Sequence, residues 1–351
     1  MVGLKSRKET MRSYVINLIA VVLLFVLMNV GTRTGLLGRY QTGVLMVIFI
    51  NIILAISLNL TTGFLGQIAL GHAGFMSIGA YTAALFVKYI QETVGITLAQ
   101  KGNVSPAGTG FFLLSLLLAG LVAALFGLLV GIPALRLKGD YLAIITLGFG
   151  EIIRTMIEFF SFTGGAQGLN RIPKTATLNV VYIIMVVCVM VMFAFVRSRH
   201  GRAIMAIRED DIASEASGIP NTYYKVLAFT FAAFFAGIAG GIYGQYLGIL
   251  GATDFDFMKS IDILVFVVLG GMGSLTGSIV SAVGLTILPE VLRSLADYRM
   301  LIYSVVLVLV MIFKPSGLLG TYEFSLTRLI DRLTGRQKKQ PSAAGKGGAS
   351  E

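Results

Sequence analysis

Long apolar runs alternate with short polar segments along this chain. The runs are Ser13–Val30, Gly43–Leu60, Ile68–Ile90, Phe111–Ile132, Tyr141–Phe160, Leu178–Val196, Val226–Leu250, Ile261–Leu292 and Met300–Phe313. An apolar helix needs roughly 20 residues to cross a bilayer, whereas barrel strands are about half that length and alternate in polarity. Backbone groups in hydrocarbon must also bond within their own segment. The pattern therefore predicts an all-α polytopic membrane protein. Ile261–Leu292 is too long for one ordinary span and is interrupted by "GGMGSLTG" at Gly270–Gly277. A second interruption, "TTGFLGQ" at Thr61–Gln67, separates the second and third runs.

Charge sets the count. Lys5, Arg7, Lys8 and Arg12 precede the first run, and Lys314, Arg328, Arg332, Arg336, Lys338, Lys339 and Lys346 follow the last. Basic flanks mark the cytoplasmic side, so both termini are expected inside, and an N-in/C-in chain crosses an even number of times. Arg136, Lys138 and the segment Arg197–Lys225 then also fall inside. Splitting Ile261–Leu292 at its glycines gives ten transmembrane segments, the eighth short. The expected organisation is a cytoplasmic N-terminus (1–12), a transmembrane domain (13–313) and a cytoplasmic, partly disordered tail (314–351). The first apolar run reads as a span and not as a removed signal peptide, since no small-residue cleavage site follows it. Two Gly-broken stretches, one in each half, suit an inverted-repeat transporter whose route runs between broken helices. The plainer alternative is a pair of tight turns at the membrane surface.

Composition agrees. The chain is 56% hydrophobic and 13% charged, against about 25% charged in soluble domains. Net charge is +11, but the basic residues lie outside the apolar runs, so they report topology and not nucleic-acid binding. Cys188 is the single cysteine and there are two histidines. That excludes an internal disulfide and gives no support to a metal site. No G-x-x-x-x-G-K-[ST] phosphate loop is present, and no nucleophile–base set stands out.

Arg197–Lys225 holds nine charged side chains in 29 residues between two uncharged runs. Within it Ile212, Ala216 and Ile219 fall at i, i+4, i+7, an apolar helical stripe. Glu209, Asp210 and Asp211 sit in the first turn expected for that helix, Arg208–Ile219, and Gly218 and Pro220 stop it. Such a short acidic helix suits docking into a partner's groove, since helices that lie on a membrane carry a basic face and bulky anchors.

Polar residues inside the runs are costly and face protein or water. Glu151, Arg154 and Glu158 form an acid–base–acid ladder at i, i+3, i+7. For Glu151 and Arg154 a place in the translocation route and an ion pair that fixes packing are equally weighted. His72 is expected to be a hydrogen-bonded packing residue. Asn59 and Gln67 flank the first break, with Gly63 and Gly66 between them; Gly270, Gly271 and Gly273 make the second. Both sets are candidates for the pathway or for close helix packing. Asp262 is expected to cap the eighth segment.

Four stretches carry a family resemblance: "LNLTTGFLGQIALGHAGFMSIGAYTAALF" from Leu58, "KGDYLAIITLGFGEIIRTMI" from Lys138 with "TGGAQGL" from Thr163, "GRAIMAIREDDIASEASGIPNTYYKVLAF" from Gly201, and "GGMGSLTGSIVSAVGLTILPE" from Gly270. In this order they resemble the permease subunits of branched-chain amino acid ABC importers, of the LivM type. The resemblance implies a non-catalytic transport subunit in the bacterial inner membrane. It implies a second related permease, two cytoplasmic ATPases and an extracytoplasmic solute-binding protein as partners. It offers Asp262 a place against that binding protein as the alternative to a cap. It also implies no cofactor on this chain, with ATP and magnesium held by the ATPases. The family's coupling motif, Glu-Ala-Ala followed by Gly, is matched in part by Glu215, Ala216, Ser217 and Gly218. Related permeases import urea or short-chain amides, and the residues do not choose among these solutes. A self-contained carrier driven by an ion gradient is the competing class, with Glu151 as its thin support.

Overall fold

The computed structural model describes residues 7–94, 99–100, 103–135, 140–295, 298–314, 316–320 and 323. Arg136, Lys138 and the basic tail beyond Lys314 lie outside them, as do Lys5 and the other residues before Arg7. The chain divides into two units, one of residues 1–28 with 324–351 and one of residues 29–323. Every contact described below lies within the second.

Helices dominate. In chain order they are α1 (Arg7–Arg33), α2 (Arg39–Asn59), α3 (His72–Val94), α4 (Pro106–Ala134), α5 (Asp140–Phe159), α6 (Leu178–Arg197), α7 (Arg199–Glu209), α8 (Asp211–Ala216), α9 (Asn221–Leu247), α10 (Phe257–Gly270), α11 (Leu275–Val291) and α12 (Arg299–Phe313). A two-residue antiparallel pairing, Ala99–Gln100 with Asn103–Val104, joins α3 to α4. Among the described residues, six helices are long and apolar enough to cross a membrane: α1, α2 with its π-helical extension, α3, α4, α6 and α9. Each apolar run of the sequence matches a helix or, for Ile261–Leu292, two. At about 1.5 Å per residue the 14-residue α10 reaches only about 21 Å, short of a full span.

The core is α3, α4 and α9 packed through small residues. A methyl on Gly240 would overlap the Met76 carbonyl, and one on Gly79 would overlap the Gly237 backbone. Gly244 likewise faces Ala80, so α3 and α9 run in the same direction with backbones in contact, as small residues permit in membrane helices. Gly127 faces Ala233 and Gly237 faces Ala119 and Ala123, so α4 runs the opposite way. Buried Gln245 of α9 bonds Ser115 of α4 (2.8 Å) and accepts from Thr175.

Two connections fold back along the bundle. After α2 the helix widens into a π turn (Leu60–Phe64), and residues 65–71 return in non-helical form to His72. His72 Nε2 bonds Ser57 Oγ (2.7 Å), about two turns, or on the order of 10 Å, short of Phe64. After α9, residues 248–256 fold back in the same manner. Phe255 packs against Tyr81 and Tyr243, and Ser260 Oγ accepts from the Ala73 N–H (3.1 Å). The N-terminal ends of α3 and α10 therefore meet. The start of α2 faces the end of α9, with Gly43 against Tyr246, so the two long helices that precede these returns are antiparallel.

The Gly270–Gly277 stretch is a tight turn. Gly270 faces Gly277, and Ser281 donates to the Phe266 carbonyl, so α10 and α11 form an antiparallel hairpin. The counterpart of the first break is the 248–256 return, so the apolar run Val226–Leu250 extends beyond its helix, which ends at Leu247.

Candidate functional site

The two breaks meet at one end of the bundle. Asn59, fully buried at the end of α2, holds them together. Its Oδ1 accepts from the Gly273 N–H (2.9 Å), and its Nδ2 donates to Ser274 O (2.9 Å) and Ser278 Oγ (2.8 Å). Gly63 lies so close to Gly273 that a methyl on Gly63 would overlap the Gly273 nitrogen. Gly271 and Gly273 have φ of +113° and +90°, a backbone that a side chain would strain. Ser274 then caps α11 by accepting from the Gly277 N–H (3.0 Å), and Glu323 accepts from the Leu275 N–H (2.8 Å). Gln67, in the return segment, has its Oε1 buried. His72 is the packing histidine that the sequence predicts, tied to Ser57.

The charged segment attaches at the same place, and it is two helices, not one. Ser198 caps α7 through the His200 and Gly201 N–H groups. Asp210 then leaves helical geometry (φ −156°) and accepts from Ile212 and Ala213 N–H (both 2.9 Å), starting α8. An Asp side chain that satisfies the free N–H groups of a new helix competes with continuing the old one. Arg208 and Glu209 thus end α7 and do not begin the docking helix.

Arg208 Nη1 donates to the Gly63 carbonyl (2.6 Å), while its stem lies over Gly66. On the other side Asp211 pairs with Lys225 Nζ (2.9 Å), and Asn221 bonds both Asp211 and Ser214. This fixes α8 to the base of α9. What remains outward is Glu209, Asp210, Ile212, Ala213, Glu215, Ala216, Ser217 and Gly218, with Ile212 79% exposed, and Arg208 is also exposed although its guanidinium is bonded. The predicted Ile212–Ala216–Ile219 stripe faces away from the bundle, Ile219 being half-covered. Gly218 closes α8 with φ +85°.

A second polar region lies on α5. Arg154 pairs with Glu151 (2.8 Å) and lies 3.8 Å from Glu158, all three partly exposed among Ile152, Met156 and Phe159. Glu151 also lines a cavity with Leu70, Gly74, Gly150, Asp256 and Ser260. The cavity offers about 10 Å³ to the centre of a water molecule, enough for one. It lies beside the meeting ends of α3 and α10. Asp256, not Asp262, caps α10 by accepting from the Lys259 N–H (3.0 Å); Asp262 lies inside that helix. Among the described residues no group of His, Cys, Asp and Glu is arranged to hold a metal ion.

The sequence pointed to Asn59, Arg208, Asp211 and Glu151 but not to Ser57, Asn221, Ser260, Ser274 or Ser278. Their only local signal is a polar residue in or beside an apolar run.

Residues 40–313 match the family model described as branched-chain amino acid transport system, permease component. The chain is 36% identical over 319 residues to the high-affinity branched-chain amino acid transport system permease protein LivM of Salmonella typhimurium, covering 81% of this chain and 71% of that protein. It is 36% identical to LivM of Escherichia coli over 305 residues, 77% of this chain and 68% of that one. It is 31% identical over 153 residues to the permease protein LivH of Escherichia coli, 42% of this chain and 49% of LivH. No solved structure matches at a significant level.

Proposed function

The chain belongs to the branched-chain amino acid transport system permease family, and from that premise we propose how it works. It is a multi-pass membrane permease of a branched-chain amino acid transporter, a transport subunit and not an enzyme. Its similarity to both LivM and LivH supports pairing with a second, related permease, each forming half of the pathway. ATP hydrolysis belongs to two partner ATPases on the cytoplasmic side, and an extracytoplasmic protein delivers the solute at the inner membrane. The relatives named above are branched-chain amino acid permeases, which favours that solute over urea or short-chain amides.

The observation that carries this reading is the α7–α8 unit. A charged helix pair follows directly on one apolar span and leads into another, braced against α9 and the two breaks. Glu209, Asp210 and Glu215 face outward around α8, while Arg199, Arg202 and Arg208 are exposed on α7. An exposed, rigidly mounted short helix is suited to receiving a push from a partner. Strict alternation of the spans requires α3 and α9 to be parallel, α4 opposed to them, and α2 opposed to α9, as the helix contacts have it; ten crossings with both termini inside rest on the charge pattern. The ion-paired face of α5 belongs on the side toward the second permease, because charge facing lipid is costly.

Solubilisation in mild detergent tests the assembly. With the candidate partner subunits co-expressed, a second permease and two ATPase subunits should co-purify with this chain in fixed ratio. Recovery of this chain alone from such membranes contradicts the proposal.

A further inference from the structure

Arg208 sits in the last turn of α7, where a helix dipole favours a cation. Yet its guanidinium crosses to another element and caps the Gly63 carbonyl at the end of the α2 π turn (2.6 Å). Its Cγ lies 3.0 Å, and its Nη1 2.7 Å, from where a Cβ on Gly66 and on Gly273 would stand. One side chain of the charged segment therefore touches the first break and the α10–α11 turn together. Asn59 clamps those two to each other. The segment's other anchor, Asp211 with Lys225 and Asn221, reaches only α9.

We propose that Arg208 is a positioning residue that transmits movement of α7–α8 to the joined breaks, and not a contact with the partner ATPases. The inference rests on the permease reading. If α7 moves while Arg208 stays bonded, the ends of α2 and the α10–α11 hairpin move with it. If the bond is absent, α7 and α9 still pack on the π turn of the first break, but the side chain that ties that turn and the α10–α11 turn to α7 is lost, and the two are driven less efficiently. A bond that differs between two states shifts their balance only by its own differential strength.

The test uses the assembled transporter in vesicles, with wild-type chain, Arg208→Gln, Arg208→Lys and Arg202→Gln. Arg202 lies on the same helix, and its guanidinium bonds the Arg197 carbonyl. Leucine import and ATP hydrolysis are measured together, and subunit ratio is checked by gel. In Arg208→Gln the complex should stay intact and hydrolysis within about twofold, while leucine imported per ATP falls about tenfold, within the usual range of coupling between sites. Arg208→Lys, which keeps one donor for Gly63, should recover much of that ratio, and Arg202→Gln should match wild type. An unchanged ratio in Arg208→Gln overturns the proposal. So does loss of the ATPases from both Arg208 variants, which would make Arg208 a docking contact. A wild-type complex that imports no leucine refutes the permease reading instead.

Discussion

Asn59 shows how much one side chain can decide in a membrane core. It is fully buried and makes three hydrogen bonds to a turn and the first turns of α11, more than 200 residues away in sequence. Replacing it with leucine leaves the Gly273 N–H without this partner, while the Ser274 carbonyl keeps the Ser278 N–H, and an unsatisfied buried group costs about 1–3 kcal/mol. We predict that Asn59→Leu lowers the melting temperature in detergent by several degrees and abolishes transport; an unchanged melting curve would contradict the clamp. The sequence placed Asn59 beside a break and His72 in a packing role, because a polar residue in an apolar run must find a partner. It could not say which partner. The Glu151–Arg154 pair was legible because its two members are three residues apart on one helix, whereas Asn59–Gly273 and Arg208–Gly63 are products of the fold.

The helices themselves were largely written in the apolar pattern, since runs of span length leave the backbone few other choices. Two elements were not. The charged segment reads as one helix until the capping by Asp210 is seen, and the 248–256 return reads as the end of a span. Its Gly248, Gly251, Asp254 and Asp256 resemble any surface turn. Close packing is testable at this scale. Gly240→Ala sets a methyl against the α3 backbone, and overpacking of this kind costs about 1–3 kcal/mol. It should reduce folded yield in the membrane fraction, whereas Gly284→Ala, which meets open space, should not. For α8 we predict that Glu215→Arg, a charge reversal on its exposed face, weakens co-purification of the ATPases and leaves the permease pair intact. Loss of the second permease instead would place this face at the wrong interface. The α5 face has its own check. Cys188 is buried, so a cysteine introduced at exposed Ile152 should react with N-ethylmaleimide in the chain alone and be protected in the permease pair. Equal labelling in both would remove α5 from that interface.

At the scale of the whole molecule, two antiparallel long helices each lead into a fold-back segment. The helices that follow, α3 and α10, meet at their N-terminal ends. The charged α7–α8 unit attaches to the first fold-back, to the turn that follows α10 and to the base of α9. That arrangement suits the proposed role as half of a moving pathway. Its apolar pattern gave the class and its motifs the family. The geometry of the two returns came only from packing. The most direct test of the account is leucine uptake into vesicles. The chain reconstituted with its permease partner, the ATPases and the binding protein should import leucine only when ATP and binding protein are both supplied. Uptake by this chain alone, driven by an ion gradient without any ATPase, would contradict it.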